Sequence, residues 1–175
     1  WEGVPVKILG IDPGTAVAGF GIIEGGLKPR ALEYGAIRTP PGMEEAERLV
    51  KIHARVRDLI EAWSPDVLAV EQVFFNKNTR SALAVGQARG VVLLAAAQAG
   101  IPVHEFTPLE VKLAVTGQGR ADKRQVGYMI QALLGLDAIP RPDDVADALA
   151  VALTCLQTLT TRRRWQAAAQ QEVPG

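Results

Sequence analysis

The segment Ile8-Leu9-Gly10-Ile11-Asp12-Pro13-Gly14-Thr15 is an apolar run that stops at an acidic residue and a turn. Aliphatic residues followed directly by Asp-Pro-Gly are typical of a buried β-strand that ends in a tight turn. Two further β-compatible stretches follow, at residues 17–23 and 31–37, and Glu24-Gly25-Gly26 joins them. We therefore predict a three-stranded antiparallel meander at the start of the domain.

Helical and strand-like segments alternate over the rest of the chain. The predicted elements are a helix over 44–63, a strand over 67–70, a helix over 79–99, a strand over 101–106, and helices over 109–115, 123–134 and 143–159. Helix, strand, helix, strand in this order is typical of right-handed parallel crossovers. The sequence therefore predicts one α/β domain over residues 1–160, with a mixed five-stranded sheet flanked by helices. A polar, flexible tail is expected over 161–175.

The composition excludes several classes of protein. Apolar residues make up 48% of the 175 residues and charged residues 22%, which is typical of a soluble globular domain. Because 19 basic residues balance 19 acidic ones, a polybasic coating protein is excluded, whereas a locally basic groove is not. The most apolar stretch, residues 91–97, is far shorter than the roughly 20 residues of a membrane-spanning helix. With a single cysteine and no signal-peptide pattern, we expect a cytoplasmic protein that has no membrane contact.

Four carboxylates stand where stability alone does not require them. Asp12 ends the first predicted strand and Glu71 ends the fourth, while Asp144 and Asp147 share a face at the start of the last helix. If these two strands are neighbours and the helix packs over their ends, the four side chains meet. Carboxylates that close need cations between them, and oxygen-only ligands favour Mg²⁺ or Mn²⁺. Two such ions can support phosphodiester hydrolysis.

Each of these residues also has a purely structural interpretation. Asp12 suits an ordinary turn, Asp144 suits the first turn of a helix, and Glu71 suits a solvated strand end. The four together favour a metal site, although spacing alone does not show that the strand and helix ends converge.

Two basic segments are candidates for contact with nucleic acid. The stretch from Gln72 to His104 has no acidic residue and begins with aromatic and basic side chains. We expect Phe74 to stack on a base and Lys77 and Arg80 to contact phosphates, the alternative being that the aromatic ring belongs to the core. A second basic loop carries Arg120, Lys123 and Arg124, and its alternative is an ordinary solvated helix start.

Small residues recur every four positions in the predicted helix over 79–99. Ala82, Gly86 and Gly90 form a flat stripe that lets another backbone approach closely. Glycine lowers helix stability by about 1 kcal/mol relative to alanine, so helix formation alone does not explain the two glycines of this stripe. The approaching backbone belongs either to the sheet or to the same helix of a second subunit.

Four motifs together resemble the RuvC family of Holliday-junction resolvases. They are Ile8-Leu9-Gly10-Ile11-Asp12-Pro13-Gly14-Thr15, Val70-Glu71-Gln72-Val73-Phe74, Gly86-Gln87-Ala88-Arg89-Gly90 and Asp144-Val145-Ala146-Asp147-Ala148-Leu149-Ala150. The resemblance runs from Lys7 to Thr158 with matching order and spacing. The first motif alone also occurs in actin-like kinases and other RNase H-like proteins, so the specificity lies in all four.

The resemblance implies an RNase H-like fold, a homodimer, and Mg²⁺-dependent nicking of two opposed strands of a four-way DNA junction. Such cuts leave 5′-phosphate and 3′-hydroxyl ends and serve recombination and repair beside the RuvA–RuvB branch-migration complex. By the same resemblance, two Mg²⁺ ions per site are expected, with Mn²⁺ able to substitute. The family's catalytic and metal-binding tetrad matches Asp12, Glu71, Asp144 and Asp147, its catalytic lysines match Lys112 and Lys123, and its stacking aromatic residue matches Phe74. Many members carry a basic residue at the position of Ala16, so a phosphate contact by that side chain is not expected here.

Three other functions were weighed against this one. A sugar-kinase-like ATPase shares the first strand and turn, but it needs a second phosphate loop and a second domain. A non-catalytic junction-binding protein would lack some of the four carboxylates. The nearest alternative is a nuclease of the same fold that cuts RNA or linear DNA, and the carboxylates do not distinguish it from a resolvase.

Overall fold

The computed structural model describes residues 5–26, 28–72 and 79–171, and these residues form a mixed five-stranded sheet with helices on both faces. The strands are β1 (Lys7–Asp12), β2 (Val17–Glu24), β3 (Arg30–Arg38), β4 (Val67–Glu71) and β5 (Val103–Phe106), in the spatial order β3-β2-β1-β4-β5. The first three strands are antiparallel neighbours, whereas β4 pairs in parallel with both β1 and β5. The predicted meander and parallel crossovers are confirmed.

The helices divide into two layers that cover the two faces of the sheet. Their bounds are α1 (Glu45–Trp63), α2 (Thr79–Gln98), α3 (Pro108–Thr116), α4 (Lys123–Leu134) and α5 (Asp143–Gln171). Side chains alternate along β1: Leu9 and Ile11 join a core with α1 and α2, whereas Ile8 joins a second core with α3, α4 and α5. Because both faces are covered, β1 and β4 lie in the centre of the protein and their last residues define one end of it.

Two capping boxes define where α3 and α4 begin. The Thr107 side chain accepts a hydrogen bond from the Glu110 N–H, and the Glu110 carboxylate accepts one from the Thr107 N–H. Asp122 and Gln125 make the same reciprocal pair at the start of α4. These pairs satisfy backbone donors that a helix leaves free at its first turn. The second box sets Lys123 as the first helical residue of α4.

The C-terminal segment differs from the sequence-based expectation. We predicted a polar, flexible tail over 161–175, but α5 continues without a break to Gln171. The residues of this extension are mostly arginine, alanine and glutamine, which all favour helix. The helix that starts at the acidic end of the sheet therefore continues past the last residues that pack in the core.

Helix α2 has a more apolar surface than the sequence analysis recognised. In the described part of the chain, Ser81–Gln98 is long and apolar enough to cross a bilayer, with a mean hydropathy of 1.2, and extends well beyond residues 91–97. Core helices of soluble proteins can be as long and as apolar as this, so one such helix does not by itself indicate a membrane span. One side of α2 is indeed core: Ala88, Val92 and Ala95 are fully buried.

Candidate active site

Asp12 and Glu71 leave the sheet from neighbouring positions. Strands β1 and β4 are parallel neighbours, with Ile11 opposite Val70, so the next residue of each strand lies at the same edge. Both acidic side chains are half-buried. The geometry that the sequence analysis required for these two carboxylates is therefore present.

Helix α5 brings two more carboxylates to this edge because glycines let it lie directly on the sheet. A Cβ atom placed on Gly19 would be 1.9 Å from the Asp144 carbonyl oxygen, and one on Gly10 would be 2.1 Å from the Ala148 carbonyl oxygen. No other residue type fits at these distances. The sequence analysis missed this role for Gly10 and Gly19. The sequence pattern that could have indicated this contact is a small residue on each of the two elements that touch. Gly10 is the small residue on β1, and Ala148 falls within the alanine-rich part of α5.

Asp12 is the carboxylate most strongly affected by its surroundings. Its pKa is raised from 3.8 to about 7, mainly by burial and then by the nearby charges of Asp147, Asp144 and Glu71, while the charge of Lys123 lowers it. The other three carboxylates are therefore close enough to Asp12 for their negative charges to repel it.

The pKa values of Glu71 and Asp147 are raised as well. Burial raises the pKa of Glu71, as does the charge of Asp147, while Lys123 and Lys112 oppose the rise. Burial also raises the pKa of Asp147, against the attraction of Lys123. Keeping several carboxylates at raised pKa values lowers the stability of the fold. Such a set is therefore typical of a functional site and not of a structural one.

The two predicted lysines lie at the same edge. Lys123 Nζ donates a hydrogen bond to Asp147 Oδ2 at 3.3 Å, and the charge of Asp147 raises the pKa of Lys123. Lys112 is half-buried on α3, and its positive charge lowers the pKa of Glu71. The structure thus brings together Asp12, Glu71, Asp144, Asp147, Lys112 and Lys123 at the carboxyl ends of β1 and β4.

The chemistry of the donor set fits a hard divalent cation. All candidate ligands are carboxylate oxygens, and the mutual repulsion at Asp12 is of the kind that a bound cation relieves. In the described residues, no three acidic, histidine or cysteine side chains are close enough together to hold a metal ion by themselves. Mg²⁺ is commonly bound by one or two carboxylates together with water and substrate phosphate, so an open arrangement suits it.

The predicted DNA contacts are only partly within the described structure. Phe74 and Lys77 lie outside the described residues. Arg80 belongs to the first turn of α2, and its side chain is not described. Arg120 and Arg124 are exposed, one in the loop before α4 and the other in its first turn beside Lys123. Of this second basic segment, Lys123 is the residue that contacts the acidic edge, through Asp147.

The small-residue stripe on α2 faces away from the sheet. Among the described residues, a Cβ atom on Gly86 or Gly90 would have no neighbour within 4 Å, so packing against the sheet does not explain these glycines. Leu83 and Leu94 on the same helix are 64% and 49% exposed. Arg89, in contrast, is paired with Glu105 on β5. The outer side of α2 is thus a smooth apolar surface that is open in the single chain.

Sequence comparison identifies relatives over most of the chain. Residues 8–155 match the family model described as crossover junction endodeoxyribonuclease RuvC. A protein of that name from Moorella thermoacetica is 58% identical over 169 residues, which cover 96% of this chain and 98% of the relative.

Structural comparison gives the same grouping. The Thermus thermophilus RuvC in complex with a Holliday junction substrate is 40% identical, with a TM-score of 0.84 over 89% of this chain and 96% of that one. The yeast mitochondrial Holliday junction resolvase Ydc2 has a TM-score of 0.69 at 13% identity, over 96% of this chain and 85% of that one, and supports the RNase H-like fold alone. On its matched length, identity and fold, the chain belongs to the RuvC family of crossover junction endodeoxyribonucleases.

Proposed function

We propose that this protein is a structure-selective endonuclease that resolves four-way DNA junctions, in recombination and repair, by paired metal-dependent nicks. The observation that carries the proposal is the convergence of Asp12, Glu71, Asp144 and Asp147 at one edge of the sheet, in a chain 58% identical to a crossover junction endodeoxyribonuclease. The products are a 5′-phosphate and a 3′-hydroxyl, which a ligase can rejoin.

The four carboxylates are the proposed ligands of two Mg²⁺ ions, with Mn²⁺ able to substitute. When bound, these ions supply an activated water and stabilise the leaving oxygen of the scissile phosphate. Asp12 would hold metal together with the other three carboxylates, since the charges of all three act on it. Glu71 and Asp147 complete the two ligand sets, and Asp144 ligates or orients the attacking water.

Lys112 and Lys123 are assigned to charge stabilisation near the scissile phosphate. Lys123 Nζ forms an ion pair with Asp147 Oδ2 at 3.3 Å, and the charge of Lys112 lowers the pKa of Glu71. Both ammonium groups therefore lie near the carboxylates. Preorganised cations next to the point where negative charge develops lower the barrier of phosphoryl transfer. These roles are supported by proximity and by the motif match of the two lysines.

DNA contacts are proposed for the two basic segments identified in the sequence. Phe74 stacks on an unpaired base near the junction centre, and Lys77 and Arg80 contact phosphates. On the α4 side, the exposed Arg120 and Arg124 do the same. A locally basic surface is compatible with a net charge of zero, because acidic residues are concentrated elsewhere.

A homodimer is proposed because a junction needs two symmetric cuts and each chain has one site. The outer side of α2 is the candidate interface: Ala82, Gly86 and Gly90 allow close helix packing, and Leu83 and Leu94 add apolar area. Pairing with a second copy also covers the apolar surface that makes α2 resemble a membrane span. The proposed location is the cytoplasm, with RuvA–RuvB as expected partners.

The direct test offers the protein a synthetic four-way junction, a linear duplex of the same sequence and an RNA hairpin, each with and without Mg²⁺. The proposal predicts paired nicks in the junction alone, in opposed strands, and only with the metal. Cleavage of the hairpin or of the linear duplex at a comparable rate would support the alternative, a nuclease of the same fold with another substrate.

A further inference from the structure

Thr39 joins the turn that follows Asp12 to the start of α1. Its hydroxyl donates a hydrogen bond to the Thr15 carbonyl oxygen at 2.6 Å and accepts one from Arg48 Nη1 at 2.5 Å. The Thr39 N–H also donates to the Ala16 carbonyl oxygen at 3.1 Å. Thr39 is only 6% exposed, so water has little access to replace these bonds.

Arg48 is itself held by two further hydrogen bonds. It lies in α1, where its Nε donates to the Met43 carbonyl oxygen and its Nη2 to the Pro40 carbonyl oxygen, both at 3.0 Å. A planar guanidinium that makes three bonds has a fixed orientation. The Thr39 hydroxyl is therefore held by α1 on one side and holds the Thr15 carbonyl on the other.

The turn over residues 13–16 is tight and has few internal degrees of freedom. Pro13 has a restricted φ, and a Cβ atom on Gly14 would lie 2.2 Å from the Val17 carbonyl oxygen. A turn of this kind moves as one unit, so its orientation depends on its supports. Its two ends are held by β1, which ends at Asp12, and β2, which begins at Val17, and Thr39 is the support that holds its middle through the Thr15 carbonyl.

We propose that Thr39 and Arg48 are positioning residues that hold Asp12 in place for divalent-cation binding, by anchoring the turn over residues 13–16 to α1. Neither side chain belongs to the proposed ligand set, and both act through the Thr15 carbonyl. The inference rests on the proposed function, because that function assigns Asp12 to the metal.

The test compares two substitutions at one position. Thr39→Val keeps the branched shape but loses both hydroxyl hydrogen bonds, whereas Thr39→Ser keeps the hydroxyl. Mn²⁺ binding to the full, metal-free chain is measured by electron paramagnetic resonance, without DNA. We expect Thr39→Val to bind Mn²⁺ about five- to tenfold more weakly, the effect of losing about one hydrogen bond, and Thr39→Ser to stay within about twofold of the wild type.

A second hydrogen-bonded link to α1, this one from β3, provides the stability control. Glu33 on β3 accepts hydrogen bonds from Arg55 Nη2 at 2.7 Å and from Trp63 Nε1 at 2.6 Å, both on α1 and away from the turn. Glu33→Gln should lower the melting temperature without changing Mn²⁺ binding. If Thr39→Val unfolds, Arg48→Met, which keeps the Thr39 hydroxyl, should still weaken Mn²⁺ binding.

The outcomes separate this inference from the proposed function. Thr39→Val or Arg48→Met with wild-type Mn²⁺ affinity and a lowered melting temperature would overturn the positioning role, since the link would then be structural only. A wild-type chain that binds no Mn²⁺ at millimolar concentration would instead contradict the metal-dependent function itself.

Discussion

Gly19 and Asp144 are in direct backbone contact, so close that a Cβ atom on Gly19 would lie 1.9 Å from the Asp144 carbonyl oxygen. The contact sets the distance between β2 and the first turn of α5. It therefore also sets where Asp144 and Asp147 stand relative to Asp12 on the adjacent strand β1.

Gly19→Ala should move the first turn of α5 and disable the site. The added methyl group overlaps backbone atoms, which cannot rotate away, and overpacking of this kind costs about 1–3 kcal/mol of stability. We expect a folded but destabilised protein in which junction cleavage is lost. Urea denaturation and a cleavage assay measure the two effects.

Gly26→Ala is the matched control for Gly19→Ala. A Cβ atom on Gly26 would meet the Lys28 carbonyl oxygen at 3.7 Å, an ordinary contact, so stability and cleavage should both be kept. Wild-type cleavage by folded Gly19→Ala would show that the position of α5 is not critical.

Asp147→Asn should abolish cleavage while junction binding survives. The change removes one carboxylate from the proposed ligand set and the partner of Lys123, but leaves every basic residue in place. Asp143→Asn, on the same turn of α5 but exposed and paired with Arg141, should stay within about threefold of the wild-type rate, since surface pairs contribute little. Fluorescence anisotropy in Ca²⁺ and cleavage in Mg²⁺ test both variants, and cutting by Asp147→Asn would refute the assigned site.

The raised pKa of Asp12 predicts how stability depends on pH in the absence of metal. Between pH 3.8 and about 7 the folded chain retains a proton that the unfolded chain releases. The free energy of unfolding should therefore fall as pH rises through this window and level off above it. Asp12→Asn should flatten this part of the profile, as measured by urea denaturation in EDTA.

The same proton predicts how metal binding depends on pH. Because Mg²⁺ must displace the proton from Asp12, its affinity should rise by up to about tenfold per pH unit below pH 7 and change little above it. Isothermal titration calorimetry in buffers of different ionisation enthalpy would detect the released proton. An affinity that does not vary between pH 6 and 8 would contradict the raised pKa.

Gly86→Leu should prevent paired cutting without unfolding the chain. A Cβ atom at Gly86 meets nothing within 4 Å in the part of the chain that the structure describes, so we expect the larger side chain to be tolerated there. In a dimer through α2 it would block close helix packing. Val50→Leu, at an exposed position on α1, is the control for added surface apolarity. Sedimentation of the wild type as a monomer, both free and on junction DNA, would remove the basis for this interface.

Phe74→Ala should slow junction cleavage much more than it lowers the melting temperature. Base stacking on an aromatic side chain contributes about 1–3 kcal/mol, so the rate should fall by about 5- to 150-fold. A large drop in melting temperature with little change in rate would assign the ring to the core.

The sequence predicted the elements because those signals are local. The apolar run ending at Asp12 and the short run before Glu71 identify two buried strands, but the sequence leaves open whether these two strands are parallel neighbours, and the structure shows that they are. Two contacts could not be predicted from the sequence, that of Gly19 with α5 and that of Thr39 with Arg48. They join separate elements that meet only in the folded protein, so no hydrophobic periodicity in the sequence indicates them. The C-terminal extension of α5 was missed because polar composition suggested a flexible tail although its residues favour helix.

Asp12 lies on the first strand of the chain, whereas Asp144 and Asp147 lie on the last helix, and only packing of α5 on β1 and β2 brings them together. A chain still attached to the ribosome therefore lacks half of these four carboxylates until α5 has been translated. A fragment that ends before residue 143 lacks them permanently. Under the proposed function, the order of the elements keeps newly made chains from cutting chromosomal DNA before they have folded.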